Sequence, residues 1–541
     1  MSASPSIAAR PVRLGIDAND PARLYVRART AEALGDNAAS ARLYATLSAS
    51  RRGDLMLARR AVSTAIDAGS FDLAVLTARR LPLDQLGLDG RLLLISDSLR
   101  RNRTAEALAL IDPKTAEGDG GFLAPILRAW SEAAAGRDAL APLNTPAAAS
   151  GLLGPFADEQ RAFVLLSQRK AEQAKPYIEK ALASAGGRQS RLRLAFALGL
   201  KRAGDRAGAA QMIAGVAPEF RDGAIDLDSP GIAVDSAAGA VAELLTGVGG
   251  ALAGNDDRDL PISLLRIAQF AAPDSGEVAV LLSLLLDRDD RQAEALVVLD
   301  RVRESDPFAS DARDARVRLL IGLDRNADAV AFARTVLDRL GGRATAADWG
   351  RLGDAARSAD DHSAAEQAYG RAAALAEAAK APNRWMFKML RADQLESLGR
   401  WDEAKAELRE ALVIAPDQPL LLNFLGYGQL ERGENIDEAE SMIRKALALR
   451  PDNASITDSL GWALFKRGRT AEAIDTLRKA AAADPVQSEI HEHLGDALYS
   501  TGRRLEARFS WRAALVNAET KDAKRIEAKL ESGLSAATAA P

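Results

Sequence analysis

The residues best suited to metal chemistry are two histidines, His491 and His493, which form a His-x-His pair among acidic residues. Glu489, Glu492 and Asp496 flank the pair and could add oxygen ligands to the two imidazoles. On a helix, however, a separation of two residues means a rotation of about 200°, so the two rings point to opposite sides. The spacing therefore favours an acidic helix surface with an incidental histidine over a metal site.

Other chemistry-bearing motifs are missing from the sequence. The chain contains no cysteine, which excludes disulfides, thiolate nucleophiles and cysteine zinc sites. The glycine-rich run 247–254 is not followed by the Lys-Ser/Thr pair of a phosphate loop. The acidic run 255–259 lacks the glycine and the closing glutamate of a calcium loop. We therefore expect no catalytic residue, no cofactor and no metal, and we predict that the protein is not an enzyme.

Charge and hydropathy narrow the function classes further. A net charge of −4 and a pI of about 5.8 argue against a nucleic-acid-binding protein. The longest strongly apolar run, residues 278–286, is far shorter than the ~20 residues needed to span a bilayer. The first residues show no apolar run of signal-peptide type. As written, the sequence predicts a cytoplasmic protein, and the alternative is a periplasmic protein whose export signal is missing from this sequence.

The elements that position these residues repeat along the chain. The 34 residues 454–487 read as a helix, a turn at Gly468, a second helix and a stop at Pro485. In the second helix small and apolar residues recur at i, i+4 and i+7, which is one helical face. Copies of this pattern follow one another in register over residues 385–519. The sequence therefore predicts a series of helix pairs.

A turn residue marks each copy and allows the period to be traced towards the N-terminus. The markers mostly lie 33–36 residues apart, and they predict about fourteen helix pairs. The marker positions are Gly35, Gly69, Asn102, Gly136, Arg169, Gly204, Asp256, Asp290, Asp324, Asp360, Gly399, Gly433, Gly468 and Gly502. Only the polar stretch near 218–240, rich in Pro and Gly, interrupts this rhythm.

A 34-residue period with Leu-Gly, Ala, an apolar residue and Pro at fixed offsets resembles the tetratricopeptide repeat (TPR). The resemblance implies an all-α TPR helix-turn-helix solenoid, a right-handed superhelix of about fourteen helix pairs with a C-terminal capping helix. The predicted segments are a flexible N-terminus at 1–20, degenerate repeats at 21–217, an irregular connection at 218–240, C-terminal repeats at 241–519, best matched at 385–519, and a capping helix with a tail at 520–541.

In TPR arrays the first helix of each pair lines a concave groove, and the resemblance assigns residues of this chain to that surface. The assigned residues are Asn423, Phe424, Tyr427, Asp458, Trp462, Phe465, Glu489, Glu492, His493, Asp496 and Tyr499. Aromatic side chains often anchor protein–protein interfaces, and the carboxylates make this end of the groove acidic. We expect it to bind an apolar partner segment with a positive charge. Packing of the aromatic rings against neighbouring helices is the alternative.

Residues 420–515, which include the runs LNFLGYGQLERGENIDEAE and HEHLGDALYSTGRR, resemble the C-terminal part of long proteobacterial TPR proteins, of alphaproteobacterial type. Related envelope TPR lipoproteins are adaptors for a periplasmic processing protease. The resemblance implies a non-catalytic adaptor that binds a protein or peptide, with an envelope protein or protease as partner. A structural or self-assembling scaffold of the cell envelope is the alternative function, and a homo-oligomer stays open. No nucleic acid and no direct membrane span are expected.

Overall fold

The computed structural model describes residues 20–540 apart from 52, 112–120, 147, 218–226, 228, 255–257 and 536–537. In this part of the chain the structure contains 28 α-helices, short 3₁₀ turns and no strand. Successive helices pack against each other as pairs, so the predicted all-α helical-repeat fold is confirmed. None of the described helices combines the length and the apolar character that a membrane crossing requires.

The structure divides into two compact units, Met1–Asp324 and Arg325–Pro541, which we call unit 1 and unit 2. The predicted connection at 218–240 falls within unit 1, and much of it lies outside the described residues. The predicted flexible segment 1–20 lies outside them as well, except for Asp20.

Unit 1 contains the first sixteen helices. They are α1 Pro21–Ala33, α2 Asn37–Ser50, α3 Leu55–Asp67, α4 Phe71–Ala78, α5 Leu88–Arg100, α6 Thr104–Ala109, α7 Ala124–Ala134, α8 Ala157–Ser167, α9 Ala171–Ser184, α10 Gln189–Arg202, α11 Arg206–Ala214, α12 Ala237–Leu252, α13 Asp259–Ala271, α14 Gly276–Arg288, α15 Gln292–Leu299 and α16 Ala309–Gly322.

Unit 2 contains the remaining twelve helices. They are α17 Asn326–Leu340, α18 Ala346–Ser358, α19 His362–Ala378, α20 Arg384–Ser397, α21 Trp401–Ile414, α22 Pro419–Glu431, α23 Ile436–Leu449, α24 Ala454–Lys466, α25 Thr470–Ala483, α26 Ser488–Ser500, α27 Arg504–Val516 and α28 Thr520–Ser532.

The turn markers read from the sequence adopt left-handed backbone conformations. Every marker among the described residues has a φ between 56° and 93°, and Asp256 lies outside them. A helix commonly ends on such a residue, and Gly, Asn and Asp tolerate the conformation best. At several turns the next residue is an aspartate that caps the following helix: Asp36, Asp205 and Asp361 each accept a backbone N–H three residues on. The predicted period is therefore correct.

One predicted helix is replaced by 3₁₀ turns. After Gly136 the pattern predicts a second helix, but the chain forms the 3₁₀ segments Ala141–Asn144 and Gly151–Phe156 instead. Pro142 and Pro155 lie within these segments, and proline cannot donate the hydrogen bonds of a helix interior. The prediction of an α-helix here was wrong because the period was followed through proline-rich sequence.

Unit 1 also contains contacts between helices that are far apart in sequence. Helix α13 packs against α3 and α5, and the rings of Phe71 and Phe270 lie 5.0 Å apart. Arg291 Nη1 lies 2.9 Å from Asp67 Oδ1. A simple solenoid brings each repeat into contact with its neighbours only. These contacts give unit 1 one large apolar core, from Ala41 to Val278.

Unit 2 has the layered arrangement expected of stacked helix pairs. Helix α22 packs on α24 and α24 packs on α26, so these three first helices form one layer, while α23, α25 and α27 pack behind them. Close approach within a pair depends on glycine: a Cβ at Gly461 would lie 2.6 Å from Leu477 Cγ, and one at Gly495 would lie 2.3 Å from Trp511 Cδ1. The layer α22–α24–α26 carries every predicted groove residue.

Candidate partner-binding groove

The eleven predicted groove residues differ in their exposure. Glu489 is exposed, while Asn423, Phe424, Tyr427, Phe465 and Tyr499 are half-buried. The other five are buried: Asp458, Trp462, Glu492, His493 and Asp496. A regular repeat predicts which face of a helix a residue occupies, but the neighbouring helices decide how much of its side chain is covered.

Trp462 and His493 form a buried stack between α24 and α26. The indole and imidazole centroids lie 4.1 Å apart with an interplanar angle of 11°. His493 Nδ1 lies 2.9 Å from Asp458 Oδ2. Burial acts to lower the pKa of His493, but the charge and hydrogen bond of Asp458 outweigh it and raise the pKa. Trp462 is only 1% exposed, so its ring is not accessible to a partner. The alternative interpretation, in which the ring packs against neighbouring helices, describes this residue better.

Glu492 and Asp496 are neutralised by the chain itself. Lys529 on α28 is fully buried, and its Nζ lies 2.6 Å from Glu492 Oε1 and 2.7 Å from Asp496 Oδ2. Arg525, one turn earlier, donates from Nε and Nη2 to both oxygens of Glu492 at 2.7 Å. We call these four residues the Lys529 cluster. At the C-terminal end of the groove, the carboxylates predicted to make it acidic are therefore already paired with basic side chains of the same chain.

Sequence reasoning missed Arg525 and Lys529 because they lie outside the repeats. A signal was present: both pairs, Arg525 with Lys529 and Glu492 with Asp496, are four residues apart, so each forms a stripe on one helical face. Two stripes of opposite charge at the same spacing can match along two packed helices.

The C-terminal tail also reaches this end of the groove. The backbone N–H of Ala540 donates to Asp496 Oδ2 at 2.9 Å. The Ala540 side chain is buried in the same apolar cluster as Leu460 and Trp462. A Cβ at Gly533 would lie 2.2 Å from the Tyr499 hydroxyl oxygen, so the chain passes close to that ring. The tail thus covers part of the surface that the sequence assigned to a partner.

Tyr427 is surrounded by carboxylates. Its hydroxyl donates to Glu489 Oε1 at 2.9 Å, which links α22 to α26 across α24. Burial raises the pKa of Tyr427 far above its usual value, and the negative charges of Glu489, Glu431 and Asp458 raise it further. The repeat pattern did not include Glu431, although its position four residues after Tyr427 places it on the same face. We call Asn423, Tyr427, Glu431, Asp458 and Glu489 the Tyr427 cluster.

Hydrogen-bond acceptors of the Tyr427 cluster lack donors. Asn423 Oδ1, Glu431 Oε1 and Asp458 Oδ1 are buried, and none accepts a hydrogen bond from a described residue. Leaving such an atom unpaired costs about 1–3 kcal/mol, and more when the group is charged. Within the described part of the chain, the ion pair that its carboxylates make is that of Asp458 with His493. The cluster is therefore acidic and short of donors.

Metal ligation does not draw these residues together. Among the residues that the structure describes, no group of three or more His, Asp or Glu side chains is arranged to hold a metal ion. His491 and His493 take different environments: His491 Nε2 lies 3.0 Å from the carbonyl oxygen of Pro485, while His493 is buried against Trp462.

Unit 1 contains a second set of paired charges, formed by residues of α8, α10, α12 and α14 together with Arg188, which directly precedes α10. Arg188 pairs with Glu159 at 2.9 Å and with Glu243 at 2.7 Å, and Arg191 pairs with Glu243 at 2.9 Å and with Glu277 at 3.1 Å. Three carboxylates thus share two guanidinium groups. Burial raises the pKa of Glu159 to about 7 against the opposing charge of Arg188. Burial and the charge of Glu243 raise the pKa of Glu277 to about 7.

A protein-family comparison identifies the repeats. The family model described as "Tetratricopeptide repeat" matches residues 351–419, 426–488 and 459–523. These spans include all of α24 and α26 and, of α22, Pro419 and residues 426–431, whereas Asn423 and Phe424 fall between two matched spans. No curated protein matches the chain significantly.

Several solved structures are similar to this chain. The APC/C hetero-tetramer Cut9–Hcn1 is 14% identical, with 95% of this chain and 96% of that chain covered and a TM-score of 0.38. MamA is 23% identical, with 32% and 97% covered and a TM-score of 0.26. A tetratricopeptide repeat protein from Parabacteroides merdae is 13% identical, with 54% and 98% covered and a TM-score of 0.34.

Proposed function

We propose that the protein is a non-catalytic adaptor that binds a partner segment in the groove of α22, α24 and α26, because residues 351–419 and 426–523 match the tetratricopeptide repeat model. The observation that carries this proposal is the Tyr427 cluster, whose buried acceptors have no donors among the described residues. Groups of this kind become satisfied when a ligand supplies the donors.

Half-buried aromatic side chains adjoin the cluster and support the same surface. Tyr427, Phe465 and Tyr499 lie on three successive first helices, and the Phe465 ring stacks on Trp462 at 5.0 Å. Partly covered aromatic rings can bury further area against a partner at low entropic cost, because they are already held by packing. The groove thus combines apolar contact area with directional acceptors.

The experiment compares partner capture by the wild type and by the double variant Tyr427→Ala/Phe465→Ala. Pull-downs from cytosolic and periplasmic fractions of the native cell are analysed by mass spectrometry. The resemblance of residues 420–515 to envelope adaptors directs the search to envelope proteins, including processing proteases. We expect a partner that the wild type captures and the variant loses while its helical circular dichroism is unchanged. Equal capture by the variant would refute the groove as the binding surface.

A self-assembling scaffold is the second candidate, and exposed apolar residues on α27 favour it. Leu505 is 70% exposed and Phe509, one turn later, is 59% exposed. The double variant Leu505→Ala/Phe509→Ala is therefore the matched control for the groove variant. An adaptor keeps its partner in this control, whereas a scaffold loses concentration-dependent mass in sedimentation velocity. A protein that stays monomeric at all concentrations would exclude the scaffold.

A further inference from the structure

The Tyr427 cluster contains three carboxylates, and among the described residues its cationic partner is the imidazole of His493, on Asp458. We infer that it binds the ammonium or guanidinium group of a lysine or arginine side chain supplied by the partner segment. This inference rests on the proposed function and names the chemistry of the partner. It also recovers, from geometry, the positive charge that the acidic sequence of the groove led us to expect.

The Lys529 cluster shows how such a cation is held in this chain. Asp458 and Glu492 are 34 residues apart and thus occupy equivalent positions on successive first helices, α24 and α26. At Glu492 the chain provides Lys529 at 2.6 Å and Arg525 at 2.7 Å. At Asp458 the described residues provide only His493, on Oδ2. Asp458, which holds the equivalent position one repeat nearer the N-terminus, therefore has no lysine or arginine partner among the described residues.

The burial of Asp458 makes this difference costly. Asp458 is 3% exposed, and its Oδ1 accepts no hydrogen bond from a described residue. Glu431 Oε1 and Asn423 Oδ1 are also buried atoms that accept no hydrogen bond from a described residue. All three unpaired atoms are acceptors, so a ligand must bring donors: a lysine brings three and an arginine five. A carboxylate-bearing segment would instead add repulsion.

The cations near the cluster do not fill it. Lys466 Nζ lies 5.0 Å from the centroid of the Trp462 ring, on an exposed side chain at the end of α24. Arg432, which follows Glu431, pairs with Glu396 on α20 at 2.9 Å. The Tyr427 hydroxyl lies 2.9 Å from Glu489 Oε1, and the charges of Glu431 and Asp458 also act on this hydroxyl. An ammonium or guanidinium group bound beside Glu489 would therefore be attracted by all three carboxylates.

The probe is a random dodecapeptide library displayed on phage and selected on the full chain. We expect enriched peptides to share a lysine or arginine next to apolar residues. The same selection on Glu431→Gln/Glu489→Gln should lose this preference. Asp475→Asn is the matched control, because Asp475 is an exposed carboxylate on α25, behind the groove layer. It should return the same peptides as the wild type.

Affinity measurements on one enriched peptide then test the contact itself. By fluorescence anisotropy, Glu431→Gln/Glu489→Gln should weaken binding about tenfold or more, and replacing the basic residue of the peptide by norleucine should weaken binding to the wild type equally. The two changes together should cost little more than either alone.

The outcomes separate the two proposals. Enriched peptides without a basic residue, or peptides that bind the amide variant as tightly as the wild type, would overturn the cation site and leave the adaptor function standing. If no enriched peptide loses its binding in Tyr427→Ala/Phe465→Ala, both the cation site and the groove adaptor function would be contradicted.

Discussion

Replacing Lys529 by methionine tests how the C-terminal helix is held on the repeats. Lys529 is fully buried, and its ammonium group bridges Glu492 and Asp496. Methionine fills a similar volume but carries no charge, so among the described residues Asp496 keeps only hydrogen bonds from Trp511 and the Ala540 N–H. Removing one member of a buried ion pair costs about 3–5 kcal/mol, because the remaining charge is left uncompensated.

The expected loss is local, since α28 is the last helix and packs on α27. A cost of 3 kcal/mol corresponds to a roughly hundredfold larger opening equilibrium. Hydrogen exchange followed by mass spectrometry should therefore show amides of α28 exchanging about a hundredfold faster or more. Lys524→Met is the control, because Lys524 is exposed on the same helix and should leave exchange unchanged.

A double-mutant cycle makes the reasoning refutable. Asp496→Asn removes the charge that Lys529→Met leaves unpaired, so the double variant should be less destabilised than the sum of the two single variants. If Lys529→Met exchanges like Lys524→Met, or if the two single effects simply add, the bridge does not stabilise the contact and the assignment is wrong.

Three further predictions concern stability. The pKa of Glu159 rises from 4.5 to about 7 on folding, so the stability that this group contributes is full below about pH 4.5 and is lost as the pH rises to about 7. Glu159→Gln should therefore reduce the change in urea unfolding free energy between pH 5 and 8 by about 3 kcal/mol. An unchanged pH dependence would contradict this prediction. Gly495→Ala should lower stability by about 1–3 kcal/mol in guanidinium unfolding, because its Cβ would lie 2.3 Å from Trp511; a neutral effect would show that the ring can move. Arg169→Gly should raise the thermal unfolding temperature by an amount equivalent to about 0.5–1 kcal/mol, because Arg169 has a φ of 59°; a decrease would mean that its side chain contributes more than the strain costs.

The repeat period could be read from the sequence because each turn is encoded locally. A left-handed residue is needed at every turn, and Gly, Asn or Asp supplies it at most of them, as at Asn102 and Asp290. The same local rule fails after Gly136, where prolines override the period. Unit 1 shows a second limit: the Arg291–Asp67 ion pair joins residues 224 apart, and no period of 34 residues predicts it.

The helical face that forms the candidate groove was predictable from the sequence, but the exposure and the charge compensation of its residues were not. Helical periodicity places Tyr427 and Trp462 on the same side of their helices, but the Trp462 ring is covered by His493 from the next repeat. The charges of Glu492 and Asp496 could not be judged without Lys529, which lies beyond the repeats. Burial and charge compensation arise between elements, so a pattern within one element does not carry them.

The hydrogen bond from the Ala540 N–H to Asp496 has a practical consequence for experiments that immobilise or label this protein. A tag fused directly after Pro541 follows Ala540 and is therefore held near the groove, where its residues are present at an effective concentration of about millimolar. A histidine-rich or lysine-rich tag would bring donors to the neighbouring carboxylates and would compete with any partner. A capture experiment through such a tag could return an empty result from a fully active protein, so the choice of attachment end is itself a variable to be controlled.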